Sequence, residues 1–234
     1  MDLLKKAKNR VEQTVSESIG SATKTEYDAH FQALLAKADD IKAQTEKLLA
    51  AFEQYVQPDA ATRLLPGFVG DGKNRAELVS QQMGCFIEQM SKWANKKHPE
   101  FDNVLVQGQK TFNDLGRAER EYLMQVGVTF LEPVKKFLAA DVKALGLERN
   151  KLNTTRVDMD SAKNRAAKNP EAKGEAERMT AAFNEQQEVV KKLVDQVEDK
   201  LPEIQKALKQ YVGVHLKYLQ SAQQALESFQ EQLA

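Results

Sequence analysis

From Val104 to Lys168 the chain runs for 65 residues with one strong helix breaker, Pro133. Through this stretch Phe112, Leu115, Ala118, Tyr122, Val126, Phe130, Val134, Phe137, Leu138, Val142, Leu145, Leu152 and Val157 recur mostly in steps of three and four. That is the spacing of a seam between helices. One helix of that length, at ~1.5 Å per residue, would extend ~100 Å, several times the width of a globular domain. A second segment of the same kind covers about 171–233, with Met179, Phe183, Val190, Val197, Leu201, Ile204, Leu208, Val212, Leu216, Leu226 and Phe229. Asn169-Pro170 separates the two, so they read as an antiparallel hairpin of two long helices.

Each arm carries a proline near its middle, Pro133 and Pro202. A proline inside a helix removes a hydrogen bond and bends the axis. Pro133 precedes the turn by about as many residues as Pro202 follows it, so paired kinks would bend the hairpin as a unit; two unrelated, tolerated prolines are the alternative. Around the prolines the apolar residues crowd (Leu123, Val126, Val128, Phe130, Leu131; Tyr211, Val212, Val214, Leu216, Tyr218). A narrow three-helix seam cannot bury them all, and their excess points to a second copy in a two-fold dimer.

Aromatics are 7% of the chain, too few for a broad core, and Gly and Pro number only 11 and 6. Lys plus Arg equals Asp plus Glu at 34 each, which leaves no global pull toward nucleic acid. The single cysteine, Cys85, allows no internal disulfide and reads as a small buried residue in a reducing compartment. No apolar run approaches the ~18 residues of a spanning helix, and the N-terminus lacks a signal-peptide block.

The remaining segments are shorter. Residues 2–20 form an amphipathic helix with a thin stripe of Leu3, Leu4, Ala7, Val11, Val15 and Ile19, and with cations Lys5, Lys6, Lys8 and Arg10 in its first half. It either packs on the domain or seeks a membrane surface. A helix over about 23–56 (Phe31, Leu34, Ala38, Ile41, Leu48, Phe52) ends before Pro58, and another covers about 76–96, closed by the loop KKHPEFDN. Between them, residues 58–75 are rich in turn formers; there Leu64, Leu65 and Phe68 lie between Arg63 and Lys73/Arg75. That pattern suits either a loop folded onto its own helices or a shallow membrane wedge.

Several motifs resemble the N-BAR domains of the endophilin family, most closely the endophilin B branch. KTEYDAHFQALLAKAD (24–39) resembles the start of the family's first helix, and YVQPDAATRL (55–64) its helix-breaking segment. LGRAEREYLMQVGVTFLEPVKKFLAADVKAL (115–145) resembles the kinked second helix, and LERNKLNTTRVDMDSAKNRAAK (147–168) the arm segment. The resemblance implies an all-α fold: a kinked three-helix antiparallel coiled coil that pairs into a crescent homodimer with a six-helix core. It implies an N-terminal membrane-binding helix (1–22), a BAR domain (23–234) and an insert at about 58–75.

The same resemblance implies a peripheral protein of the cytoplasmic membrane surface that senses or generates curvature on anionic phospholipid bilayers. Electrostatic contact would come from Lys5, Lys6, Lys8, Arg10, Arg63, Lys73, Arg75 and, at the arm tip, Lys163, Arg165, Lys168 and Lys173. Insertion would come from Leu3, Leu4, Val11, Val15, Ile19, Leu64, Leu65 and Phe68. Each cation near such a surface adds ~1 kcal/mol, screened by salt. The tip departs from the more basic tips of endophilin A relatives: Ser161, Ala162 and Asn164 stand where aromatic and basic residues are usual, and an ordinary solvated helix end is the alternative. Endophilins usually continue into a linker and a Src-homology-3 domain, which leaves protein partners to regions outside this chain. A coiled-coil scaffold without lipid affinity is the competing function.

No enzyme or cofactor is expected. GFVGDGKN (67–74) ends in Asn74 where a phosphate-binding loop needs Ser or Thr. Asp158 and Asp160 start like a calcium loop that Lys163 and Asn169 then break, and surface pairs with Lys163, Lys151 or Arg156 suit them better. His30, His98 and His215 have no metal-ligand spacing.

Overall fold

A computed structural model describes residues 2–19, 24–57, 59, 75–94 and 98–234. Among these every regular element is helical. The α-helices are α1 (Asp2–Ser18), α2 (Ala29–Val56), α3 (Arg75–Ala94), α4 (Pro99–Val126), α5 (Glu132–Phe137), α6 (Lys143–Ala166), α7 (Lys173–Asp199) and α8 (Leu201–Leu233). Two π-helical turns, Gly127–Leu131 and Leu138–Val142, join α4, α5 and α6 into one uninterrupted helical path from Pro99 to Ala166. The expected all-α fold is therefore observed among the described residues.

Several boundaries differ from expectation. α2 starts at Ala29 because the Asp28 carboxylate accepts the Phe31 amide at 2.8 Å, an N-cap that fixes the first turn. PEFDN is no loop: Pro99 opens α4, where a missing N–H costs nothing, and Glu100 and Asp102 face the positive helix end. Pro202 does not lie in the interior of one long helix. The chain leaves helical bonding at Lys200 and restarts at Leu201, which puts Pro202 in the first turn of α8. Pro133 does lie within the continuous path, and the wide turn before it takes up the disturbance: the Glu132 amide bonds back to Gly127 O.

The chain divides into two compact units, Met1–Lys47 with Lys136–Leu201, and Leu48–Lys135 with Pro202–Ala234. Both later breaks fall beside a proline. In the first unit α6 packs along α7. Its core is Phe31 and Ala38 of α2, Leu145, Leu152 and Met159 of α6, and Phe183, Val190, Val194 and Val197 of α7, all buried. Tyr27 closes one end, edge-on to Phe31 at 5.1 Å and stacked on Phe183 at 6.2 Å. Arg149–Asp39 (2.5 Å) and Lys37–Glu198 (2.6 Å) tie α2 to the hairpin from outside.

In the second unit α3 lies on α4, with Ser80 Oγ donating to Gln109 O at 3.1 Å. Gly108 permits this approach: a β-carbon there would meet Met83 of α3 and Phe229 of α8 at 3.2 Å. Ser80 and Met83 take the packed edge of α3, so Cys85, expected to be buried, is exposed along with Leu78 and Phe86. The aromatic centre joins Phe52 to Phe130 (4.4 Å) and Tyr211 (4.7 Å).

Candidate functional site

The first unit places α1 against α6, and it does so with the helix's polar side. Arg10 donates twice to Asp158, both bonds 2.7 Å. Gln13, only 5% exposed, accepts from Asn164 Nδ2 at 2.9 Å and donates to Glu17. Glu17 accepts two bonds from Arg156, at 3.1 and 3.2 Å. Arg156 also donates to Asp160 at 2.8 Å, and Asp160 in turn accepts the Thr25 amide (3.0 Å) and hydroxyl (2.5 Å). Arg156 and Asp160 are 5% and 3% exposed. Ser161 and Ala162, small and buried, let the elements approach. Two charged groups that α6 could not bury alone are thus covered by α1 and the segment after it, with their partners supplied.

The electrostatics follow the contacts. The hydrogen bond to Asp158 raises the Arg10 pKa above its ordinary value despite some burial. Burial alone would lower the Arg156 pKa; hydrogen bonds and charge from Glu17 and Asp160 reverse that and leave it raised. Burial likewise pushes the Glu17 carboxyl up, and bonds from Arg156 and Gln13 outweigh it, so the group sits below the usual glutamate value.

With the polar side inward, the apolar edge faces out. Val11, Val15 and Ile19 are 64%, 52% and 71% exposed. They sit four residues apart, one row along the helix. This inverts the usual packing of an amphipathic helix on a domain, in which apolar groups turn inward.

The tip cations divide into two groups. Arg165 is committed across the turn, with bonds of 2.9 and 3.0 Å to Glu175. Arg10 is likewise held by Asp158. Lys163, Lys168 and Lys173 are exposed, as is Lys8, whose contact with Glu12 is a loose 3.6 Å. Asn169 caps the turn through Glu171 N at 3.1 Å, and Pro170 opens a single 3₁₀ turn. Leu3, Leu4, Lys5 and Lys6 belong to α1 and Arg75 begins α3, but their side chains lie outside the described set. Arg63, Leu64, Leu65, Phe68 and Lys73 fall outside the described residues altogether.

Asp160 does pair with Arg156 as expected of an i,i+4 neighbour, yet the pair is buried rather than on the surface, and Asp158 pairs with Arg10. Sequence reasoning missed the role of Gln13, Glu17 and Thr25. A signal was present: polar i,i+4 pairs on α1 (Gln13, Glu17) and α6 (Arg156, Asp160), the latter beside two small residues.

In the second unit Val212, Leu216, Leu219 and Leu226 form an apolar row along α8, and they and Met124 and Val128 are 47–61% exposed. The same unit holds a tyrosine–histidine cluster between α4 and α8, with the Tyr211 hydroxyl 3.3 Å from that of Tyr122 and 3.0 Å from His215 Nδ1. Burial, then the Tyr211 hydrogen bond, pushes the Tyr122 phenol well above its usual pKa. Among the described residues no helix is long and apolar enough to cross a membrane, and no group of acidic, His and Cys side chains could hold a metal.

The family model for the BAR domain matches residues 4–234. Endophilin-B1 from Gallus gallus is 29% identical over 233 residues, covering 96% of this chain and 64% of the relative. Endophilin-B2 from Bos taurus is 32% identical over 174 residues, 71% of this chain and 43% of the relative. Endophilin-B2 from Gallus gallus is 34% identical over 171 residues, 72% and 42%. The chain therefore spans less than two thirds of the length of these relatives.

Proposed function

The chain belongs to the BAR domain family, and on that premise we propose that it is a homodimer that binds anionic bilayers peripherally from the cytoplasm and senses or generates their curvature. The observation that carries this reading is the outward row of Val11, Val15 and Ile19 on α1. An exposed aliphatic edge costs free energy in water and gains it in the boundary between head groups and acyl chains. The exposed lysines Lys8, Lys163, Lys168 and Lys173 supply a salt-sensitive attraction to anionic lipid. Leu3, Leu4 and the insert residues Leu64, Leu65 and Phe68 would add inserted area, and Lys5, Lys6, Arg63, Lys73 and Arg75 would add charge. The exposed aliphatic row Val212, Leu216, Leu219 and Leu226 of α8 is the surface for the second copy, since permanent interfaces are apolar at their core.

One observation favours the competing scaffold reading. Arg10 and Arg165 are engaged in internal ion pairs, which leaves fewer free cations than the sequence advertises.

Co-sedimentation with phosphatidylserine-rich vesicles of two sizes decides between the readings. The control variant combines Val11→Ser, Val15→Ser and Ile19→Ser. These side chains face solvent, so the fold should survive, whereas deleting residues 1–20 would also uncover Arg156 and Asp160. Binding that falls with salt, favours small vesicles and weakens roughly tenfold or more in the variant supports the proposal. No binding at low salt overturns the proposal and leaves the scaffold reading, whose protein partner would then be sought.

A further inference from the structure

We propose that α1 enters the bilayer surface while still docked on α6, so that the polar contacts to Arg156, Asp158 and Asn164 aim its apolar edge at the lipid. This rests on the membrane reading above and specifies its geometry. An isolated amphipathic helix lies in the interface with its polar side toward water. Here that side is already satisfied: Arg10, Gln13 and Glu17 all bond to α6. Releasing the helix would break these bonds and open Arg156 and Asp160 to a loss of partners. Inserting it docked breaks none, because Val11, Val15 and Ile19 already point away from the protein.

The occupant of that edge is a lipid surface rather than a protein. A specific protein interface buries about 800 Å² on each side, far more than one row of three aliphatic side chains offers. A shallow apolar ridge on a helix that also carries the exposed Lys8 matches the depth and charge of a head-group region. The α6 network is then a positioning device. It removes the cost of orienting the helix at the moment of binding.

The test uses the full chain with Cys85→Ser. Nitroxides at Ser18→Cys and Ala167→Cys, both exposed positions, report the distance between α1 and the end of α6 by pulsed dipolar spectroscopy. Dilution with unlabelled chain suppresses distances between copies. A fluorophore at Val15→Cys reports entry into lipid. The expected result is a narrow distance distribution in buffer that is unchanged on phosphatidylserine-rich vesicles, while the fluorophore shifts to the blue. A distribution that broadens or lengthens on vesicles, or one already broad in buffer, overturns the proposal and leaves the membrane reading intact. Failure of every form of the chain to bind vesicles overturns both. Asp158→Asn with Gln13→Ala gives the second readout. If docking falls to a tenth of the population, vesicle binding should fall about tenfold. A rise in binding would mean that the contacts restrain the helix, and would also overturn the proposal.

Discussion

Arg156→Ala is the sharpest test of what holds the first unit together. The Arg156 side chain is 6% exposed and joins Glu17 (9%) to Asp160 (3%). Its removal deletes two bonds to Glu17 and one to Asp160. Breaking a buried ion pair from one side costs about 3–5 kcal/mol. The lower figure applies here, because α1 can lift and return Glu17 to water, whereas Asp160 stays in α6 with only Thr25 as donor. We expect a loss of ~3 kcal/mol in urea unfolding followed by helical circular dichroism, at fixed protein concentration so that dimerisation does not shift the midpoint. The double-mutant cycle with Glu17→Gln should return a coupling of about 1–3 kcal/mol. As a control, Lys92→Ala removes an exposed i,i+4 pair with Glu88 and should cost no more than about 0.5 kcal/mol. A loss below about 0.5 kcal/mol for Arg156→Ala, or a coupling near zero, would refute the claim that α1 covers and partners this group.

Glu17 also makes docking acid-sensitive. Its folded pKa lies below the usual value, so its contribution is complete above about pH 4.3, the unfolded reference, and fades as pH falls through the folded value; amide hydrogen exchange in α1 should accelerate over that range, and Glu17→Gln should flatten the change. Phe130→Ala empties a site that is 0% exposed between Phe52 and Tyr211 and should cost ~3–5 kcal/mol by the same urea assay. In alkali the phenols of Tyr122, Tyr211 and Tyr218, raised by burial, should ionise later than free tyrosine, so absorbance near 295 nm should show a delayed fraction that titrates normally in denaturant. Val212→Asp with Leu216→Asp places two charges on the exposed apolar row of α8 and should turn a dimer into a monomer in sedimentation velocity, with helicity retained.

Helical periodicity made the long path legible from about Val104 to its end, and the second long segment after it, because a seam in steps of three and four needs only local spacing to declare itself. The first turn at Pro99, by contrast, reads as loop in the sequence. The apolar excess beside the prolines was readable only in part: Val128, Val212 and Leu216 are left exposed by a single chain, whereas Val126, Phe130, Leu131 and Tyr211 are buried within it. Proline, by contrast, has a meaning that depends on its position in a helix. Pro133 and Pro202 look alike in sequence, yet one sits in a continuous path behind a π turn and the other opens a new helix. The side of α1 that meets the protein was not legible either. Its stripe of Val11, Val15 and Ile19 predicts an amphipathic helix but not which side docks. That choice was made by α6, where Arg156, Asp158, Asp160 and Asn164 lie in a segment with too few apolar groups to receive an apolar face. A buried charge needs a partner more than an exposed valine needs cover. The sequence by itself determined the helices, their periodicity and the poverty of apolar residues at the turn. Only the tertiary structure decided that the polar edge of α1 fills that gap and turns its apolar edge outward, because the partners that complete the Arg156–Asp160 pair, Glu17 and Thr25, lie more than a hundred positions away.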